Sequence, residues 1–302
     1  MKPVQITRKA NSRTILRGLD RERSQVLAWL ETRHTPAGRR ALQAARQSFS
    51  ALSIAHDGGR TPYLWTTEDA SAKLSHNNLD KLEQVVQYLS AADSSGVANL
   101  CSKSTKECRR GCLGKTSGRL RFDAPQRAMA IRTRLLVEQP FNYTIIMLAE
   151  LERHATRVGA CGKSLVVRYN GTSDLAIEGL PWFTDAMRTA GAAILFDYTK
   201  YNTTDRPSVA GYYLARSATE RTMPEDLHAG MVVIVDTKRG EDLPSTFHGF
   251  ETIDGDLEHG DHRHRDADRP DAIVLLRAKG SLVGQVGAWD SFVKPTAHLI
   301  LV

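Results

Sequence analysis

Three cysteines within twelve residues are the part of this sequence best suited to chemistry. Six residues separate Cys101 from Cys108 and three separate Cys108 from Cys112, so the last two share a face if the segment is helical. Thiolates bind soft metals and are the usual ligands of iron–sulfur clusters. Lys103, Lys106, Arg109, Arg110 and Lys115 surround them, against the single acid Glu107, and nearby cations favour thiolates. The expectation is a 4Fe-4S cluster held by Cys101, Cys108 and Cys112, with one iron open to a small molecule or a protein group. Zinc, with Cys161 or a histidine as fourth ligand, and a metal-free segment are the alternatives. Gly114-Lys115-Thr116 ends like a phosphate-binding loop, but Arg109 stands where the first glycine of that loop belongs, so no ATPase is expected.

A second set of candidates follows the apolar runs. Arg168-Tyr169-Asn170-Gly171-Thr172-Ser173-Asp174 comes after one run and Asp197-Tyr198-Thr199-Lys200 closes the next. Ser217, Thr219 and Glu220, then Asp236 and Lys238, then Lys279 and Gly280 follow later ones. In parallel α/β folds the loops after strand C-termini build the active site. Asp174 and Asp197 are therefore candidate proton acceptors and Lys200 a candidate holder of an anionic group. Arg168, Asn170, Thr172, Ser173 and Lys279 are candidate substrate contacts.

These residues need a sheet to position them. Short β-branched or aromatic runs at 164–169, 193–198, 211–216, 231–236, 247–253 and 272–277 read as strands, near-continuous in apolar character as strands covered on both faces are. Helices are expected at 124–138, 141–158, 180–190 and in outline at 223–229. Too few helices alternate with the strands for a complete eightfold barrel. The fold class is α/β: a partial or irregular barrel-like parallel sheet with flanking helices over residues 96–302, preceded by a small basic helical module over 1–95. In that module helices are expected at 20–33, at 35–52 with Thr35 as cap and Pro36 in the first turn, and at 76–92, where Leu79, Leu82, Val85, Val86 and Leu89 fall on one helical face.

Charge is unevenly spread. Residues 1–50 hold eleven Lys or Arg against three acids in a chain whose net charge is +7. Such an arm can neutralise phosphates, so nucleic acid is a candidate partner through residues 1–50, with a solvated surface as the plainer reading. No run of apolar residues is long enough to cross a membrane and the first residues lack a secretory pattern, so no membrane partner and a cytoplasmic location are expected. Cys161 is expected as a buried free thiol. His259, Asp261, His262 and His264 offer a second nitrogen-and-oxygen metal set, or simply a surface loop.

The segments NLCSKSTKECRRGCLGKTSGRL, QRAMAIRTRLL, VVRYNGTSDL, FDYTK and LLRAKG, in that order, resemble the gene product 88 family of actinobacteriophage proteins over residues 97–290. The resemblance implies the cytoplasm of an infected bacterial host. It also implies a distant likeness to iron–sulfur enzymes of the radical S-adenosylmethionine type, with a barrel-like domain and a three-cysteine loop. The usual loop of those enzymes has closer cysteines, and a glycine-rich seat for S-adenosylmethionine is not evident here. Two functions follow from this reading: an enzyme using an open cluster for radical or redox chemistry, or a nucleic-acid-binding or regulatory protein with a structural or redox-sensing cluster.

Overall fold

The computed structural model describes residues 10–57, 60–67, 81–116, 118–238, 240–256, 271–279, 282–284 and 290–296. Its strands in chain order are β1 (Ala10–Asn11), β2 (Trp65–Thr66), β3 (Leu82–Gln87), β4 (Ala98–Asn99), β5 (Ser164–Arg168), β6 (Ala192–Thr199), β7 (Tyr212–Ser217), β8 (Met231–Val235), β9 (Thr246–Phe247), β10 (Phe250–Asp254) and β11 (Ala272–Arg277). The helices are α1 (Ser12–Arg21), α2 (Arg23–Thr32), α3 (Pro36–Asp57), α4 (Lys106–Arg110), α5 (Leu113–Thr116), α6 (Asp123–Glu138), α7 (Pro140–Ala160) and α8 (Pro181–Thr189).

The apolar runs become one nine-stranded sheet in the order β2-β3-β5-β6-β7-β8-β11-β10-β9. From β3 to β10 every pairing is parallel, and a two-residue antiparallel strand ends the sheet on each side. Up to β8, neighbours in space follow one another in sequence, as in a barrel, but β2 and β9 do not pair and the sheet stays open. The mostly parallel sheet with flanking helices is the fold class expected from the sequence.

One face packs on helices. Val85, Leu165, Val167 and Leu195 from the strands, with Leu89 just after β3, share a core with Ile131 and Leu135 of α6, and with Ile145 and Leu148 of α7. The same core takes Ile15, Leu19, Val26 and Phe49 from α1, α2 and α3. Around β8 and β11 a separate cluster forms from Met231, Val233, Val235, Ile273 and Leu275, and the opposite face carries Ala215, Val232 and Val274.

Local signals explain the helix starts. Asn11 accepts a hydrogen bond from the Thr14 backbone N–H at 2.9 Å, and Thr35 Oγ1 accepts from Gly38 N at 3.2 Å ahead of Pro36. The segment expected as a helix at 76–92 holds β3 instead; residues 68–80 lie outside the described residues. Val85 and Val86 are buried on both sides of that strand, so tertiary pairing with β5 overrides a pattern that also suits a helix. The helix outlined at 223–229 is only a 3-10 turn, Pro224–Asp226. The sheet runs across the boundary drawn at residue 95, since β2 and β3 belong to it.

Because α1 to α3 fill the same core as the sheet, these helices are not a detachable arm. Phe49→Ala, at a site 2% exposed, is expected to lower unfolding free energy by about 3–5 kcal/mol, measured by urea denaturation. Deleting residues 1–50 is expected to abolish the cooperative transition.

Candidate functional site at the C-terminal sheet edge

Seven parallel strands put their C-terminal ends on one edge, and the segment after β4 lies across it. β4 is pinned by β1, with Ala10 opposite Ala98 and Asn11 opposite Asn99. Beyond it, Asp174 N donates to Leu100 O at 2.9 Å, Thr105 Oγ1 donates to Glu220 Oε2 at 2.8 Å, and Lys103 Nζ pairs with Asp205 at 2.7 Å. The cysteine segment is thereby tied to the loops that follow β5, β6 and β7. Gly171 and Gly114 make these approaches feasible. A Cβ on Gly171 would stand 2.7 Å from Gln87 O, and one on Gly114 would stand 2.8 Å from Thr172 Cγ2.

Beneath the segment lies a buried polar network. Arg206, 1% exposed, forms a two-pronged pair with Glu178 at 2.6 and 2.8 Å and reaches Asp174 at 2.5 Å. Burial opposes its charge, but Glu178 and Asp174 outweigh that cost and hold the guanidinium above its ordinary pKa. Asp197 is sealed, 0% exposed; it accepts from Asn170 N at 2.7 Å, from Asn170 Nδ2 at 2.6 Å and from the Tyr212 hydroxyl. Asn170 Oδ1 in turn accepts from Ser173 Oγ and Leu175 N, both at 2.8 Å. Asp174 and Asp197 therefore shape the loop after β5; the proton-acceptor role expected of Asp197 has no open face to act through.

Lys200 differs. Its backbone N–H donates to Asp174 Oδ2 at 2.9 Å, and its side chain runs on with Nζ 3.0 Å from Ala218 O and 4.8 Å from the centre of the Phe292 ring. Burial lowers its pKa; Cys108, Asp174 and Glu220 act the other way. Among the described residues the Ala218 carbonyl is the single hydrogen-bond acceptor of its side chain.

The wall beside Lys200 comes from far along the chain. β7 pairs with β8 only through Arg216 and Ser217, then stops short. The vacated place is taken by residues 292–294: Lys294 N donates to Ile234 O at 2.8 Å, and Asp236 N donates to Lys294 O at 3.2 Å. Lys294 is 0% exposed, its Nζ donates to Thr222 O at 2.8 Å, and burial pushes its pKa down to about 8 against Glu220 and Asp290. Phe292 and Val293 pack with Leu282 and against Cys108.

The expected iron–sulfur centre is not what these cysteines build. Among the described residues no group of three or more Cys, His, Asp or Glu side chains is placed to hold a metal ion. The thiols have different neighbours. Cys101 Sγ lies 3.4 Å from Ala92 N and 3.6 Å from Thr172 O, Cys108 packs on the Phe292 cluster, and Cys112 lies beyond the end of α4. Burial raises the pKa of all three thiols, Cys101 to about 12. Cluster-based radical, redox or sensing functions fall with it. Cys161 is exposed at the end of α7 rather than buried.

The remaining candidates are spread along the edge. Thr172 Oγ1 is turned to Leu89 O, Arg168 stacks 4.6 Å over Tyr198 with a contact to Gly171 O at 3.4 Å, and Lys279 pairs with Asp256. His259, Asp261, His262 and His264 lie outside the described residues. Sequence reading missed Glu178, Arg206, Tyr212, Phe292 and Lys294. A polar residue inside a loop carries no periodic signal, although a lysine within the apolar string SFVKP was a visible clue to Lys294.

A family model described as gene product 88 matches residues 65–291. No curated protein and no solved structure matches the chain, and the likeness to radical S-adenosylmethionine enzymes finds no support among these comparisons. No described helix is long and apolar enough to cross a membrane.

Two outcomes test the network. Arg206→Met leaves Asp174 and Glu178 buried without their partner and is expected to cost about 3–5 kcal/mol in urea denaturation. Burial pushes Asp197 from 3.8 up to about 6, so the folded state binds its proton more tightly than the unfolded chain. Asp197 then favours folding most below pH 4 and loses that contribution as pH rises through 6. The stability difference between wild type and Asp197→Asn is expected to shift by roughly 2 kcal/mol against the wild type from pH 4 to pH 7.

Proposed function

We infer that this chain, which belongs to the gene product 88 family, binds a small molecule with an anionic or carbonyl oxygen at the C-terminal edge of its sheet, with Lys200 as the group that holds that oxygen. The observation behind this reading is the Lys200 ammonium itself. It can donate three hydrogen bonds and spends one on a backbone carbonyl, with no ion pair to a carboxylate among the described residues. A desolvated ammonium with donors to spare gains most from an oxygen ligand, because the surrounding low dielectric strengthens the contact.

The neighbours suit that role. Asp174 fixes the Lys200 backbone and is itself fixed by Arg206, so the lysine stands on a rigid support. Cys108 and Cys112, as neutral thiols, offer weak polar contacts without competing for the ammonium as carboxylates would. Phe292 supplies an apolar wall, and Glu220 is occupied by Thr105. Pockets at strand C-termini of parallel α/β sheets are where such ligands bind and react.

The test is calorimetric titration of the full chain with phosphate, sulfate, acetate and pyruvate, repeated on Lys200→Met. At least one is expected to bind the wild type, with affinity for it at least tenfold weaker in the variant. Binding by none of the four, or equal binding by both proteins, would overturn the assignment.

A further inference from the structure

The first two helices carry a feature that the sheet-edge site does not use. α1 presents Arg13, Arg17 and Arg21, all exposed, at successive intervals of four residues. Their Cα atoms are about 6 Å apart along the helix axis, and intervals of four keep them near one face. Arg23 follows at the start of α2, also exposed. Among the described residues none of these four guanidinium groups has a hydrogen-bonding or ion-pair partner. Arg17 and Arg21 line a concavity of about 420 Å³ with Thr14 and Asp20. Asp20, in the same concavity, accepts from Trp182 Nε1 at 3.0 Å.

We propose that this stripe docks on the sugar–phosphate backbone of a nucleic-acid duplex. Its spare donors are guanidinium forks, which match phosphate oxygens better than ammonium groups do. A single strand is disfavoured because base stacking needs exposed aromatics. Among the described residues the exposed large apolar ones are Ile54, Tyr63, Phe122, Val209, Tyr213, Met223 and Val283, none of them on α1 or α2. An anionic membrane is disfavoured for a related reason. A helix that lies on a bilayer inserts its apolar face, and here Ile15, Leu19, Val26 and Leu30 are already buried in the core. What remains available is charge, the sequence-independent part of duplex recognition.

The experiment measures binding of the full chain to a random-sequence DNA duplex by fluorescence anisotropy over a salt series. Three proteins are compared: wild type, Arg13→Gln/Arg17→Gln/Arg21→Gln, and a control of equal charge, Arg60→Gln/Arg121→Gln/Arg153→Gln, at exposed positions elsewhere. The stripe variant is expected to lose at least tenfold in affinity at low salt, and its log–log salt slope to shrink by about 3, one for each phosphate contact removed. The control is expected to stay within threefold of wild type. Urea denaturation of each variant confirms an unchanged fold. Undetectable binding by wild type at low salt, equal losses in the two variants, or binding to anionic vesicles with none to the duplex would each overturn the proposal.

Discussion

The Arg206 guanidinium, shut away between Glu178 and Asp174, is the interaction on which the sheet edge depends. It is placed by a loop without regular structure, yet it joins the loop after β5 to the loop after β6. Asp174 carries the connection onward through the Lys200 backbone, and Leu100 O accepts from the Asp174 backbone. One buried charge thus sets the relation between a strand end, the candidate ligand-holding lysine and the start of the cysteine segment. Its burial is tolerated because two carboxylates pair with it and one of them, Asp174, is held in turn by Lys200 N; a lone charge in that position would not survive.

Most strands were legible because strands covered on both faces must be apolar along their length, and runs such as MVVIV and AIVLLR have few other uses in a chain of this type. β3 was not, because LEQVVQ mixes polar and apolar residues in an order compatible with either period. Only its place beside β5 decides the matter, and pairing partners are invisible to a local reading. The site divides the same way. That polar residues gather where parallel strands end is topology, and topology can be read from a list of runs. Which of them face inward to brace the loops, as Asp197 does, and which keep donors to spare, as Lys200 does, depends on a neighbour such as Tyr212 or Ala218 that no motif announces.

The cysteines show the limit most clearly. Their spacing and basic surroundings describe a chemical opportunity, while a ligand set requires thiols that converge. Here Ala92 N donates to Cys101 Sγ and Cys108 packs against Phe292, and among the described residues no metal-holding group forms. Residue types at suggestive intervals constrain composition, and direction is decided by packing.

The two-residue strands β2 and β9 carry a consequence for behaviour in a crowded solution. A sheet of seven parallel, largely apolar strands would offer at each open side a row of unpaired amides ready to accept a strand from another molecule. An antiparallel stub of two residues covers Val86 and Gln87 of β3 on one side and Phe250 and Glu251 of β10 on the other. The sheet is not closed into a barrel, and over those paired residues the stubs supply a part of the resistance to edge-to-edge aggregation that closure would give.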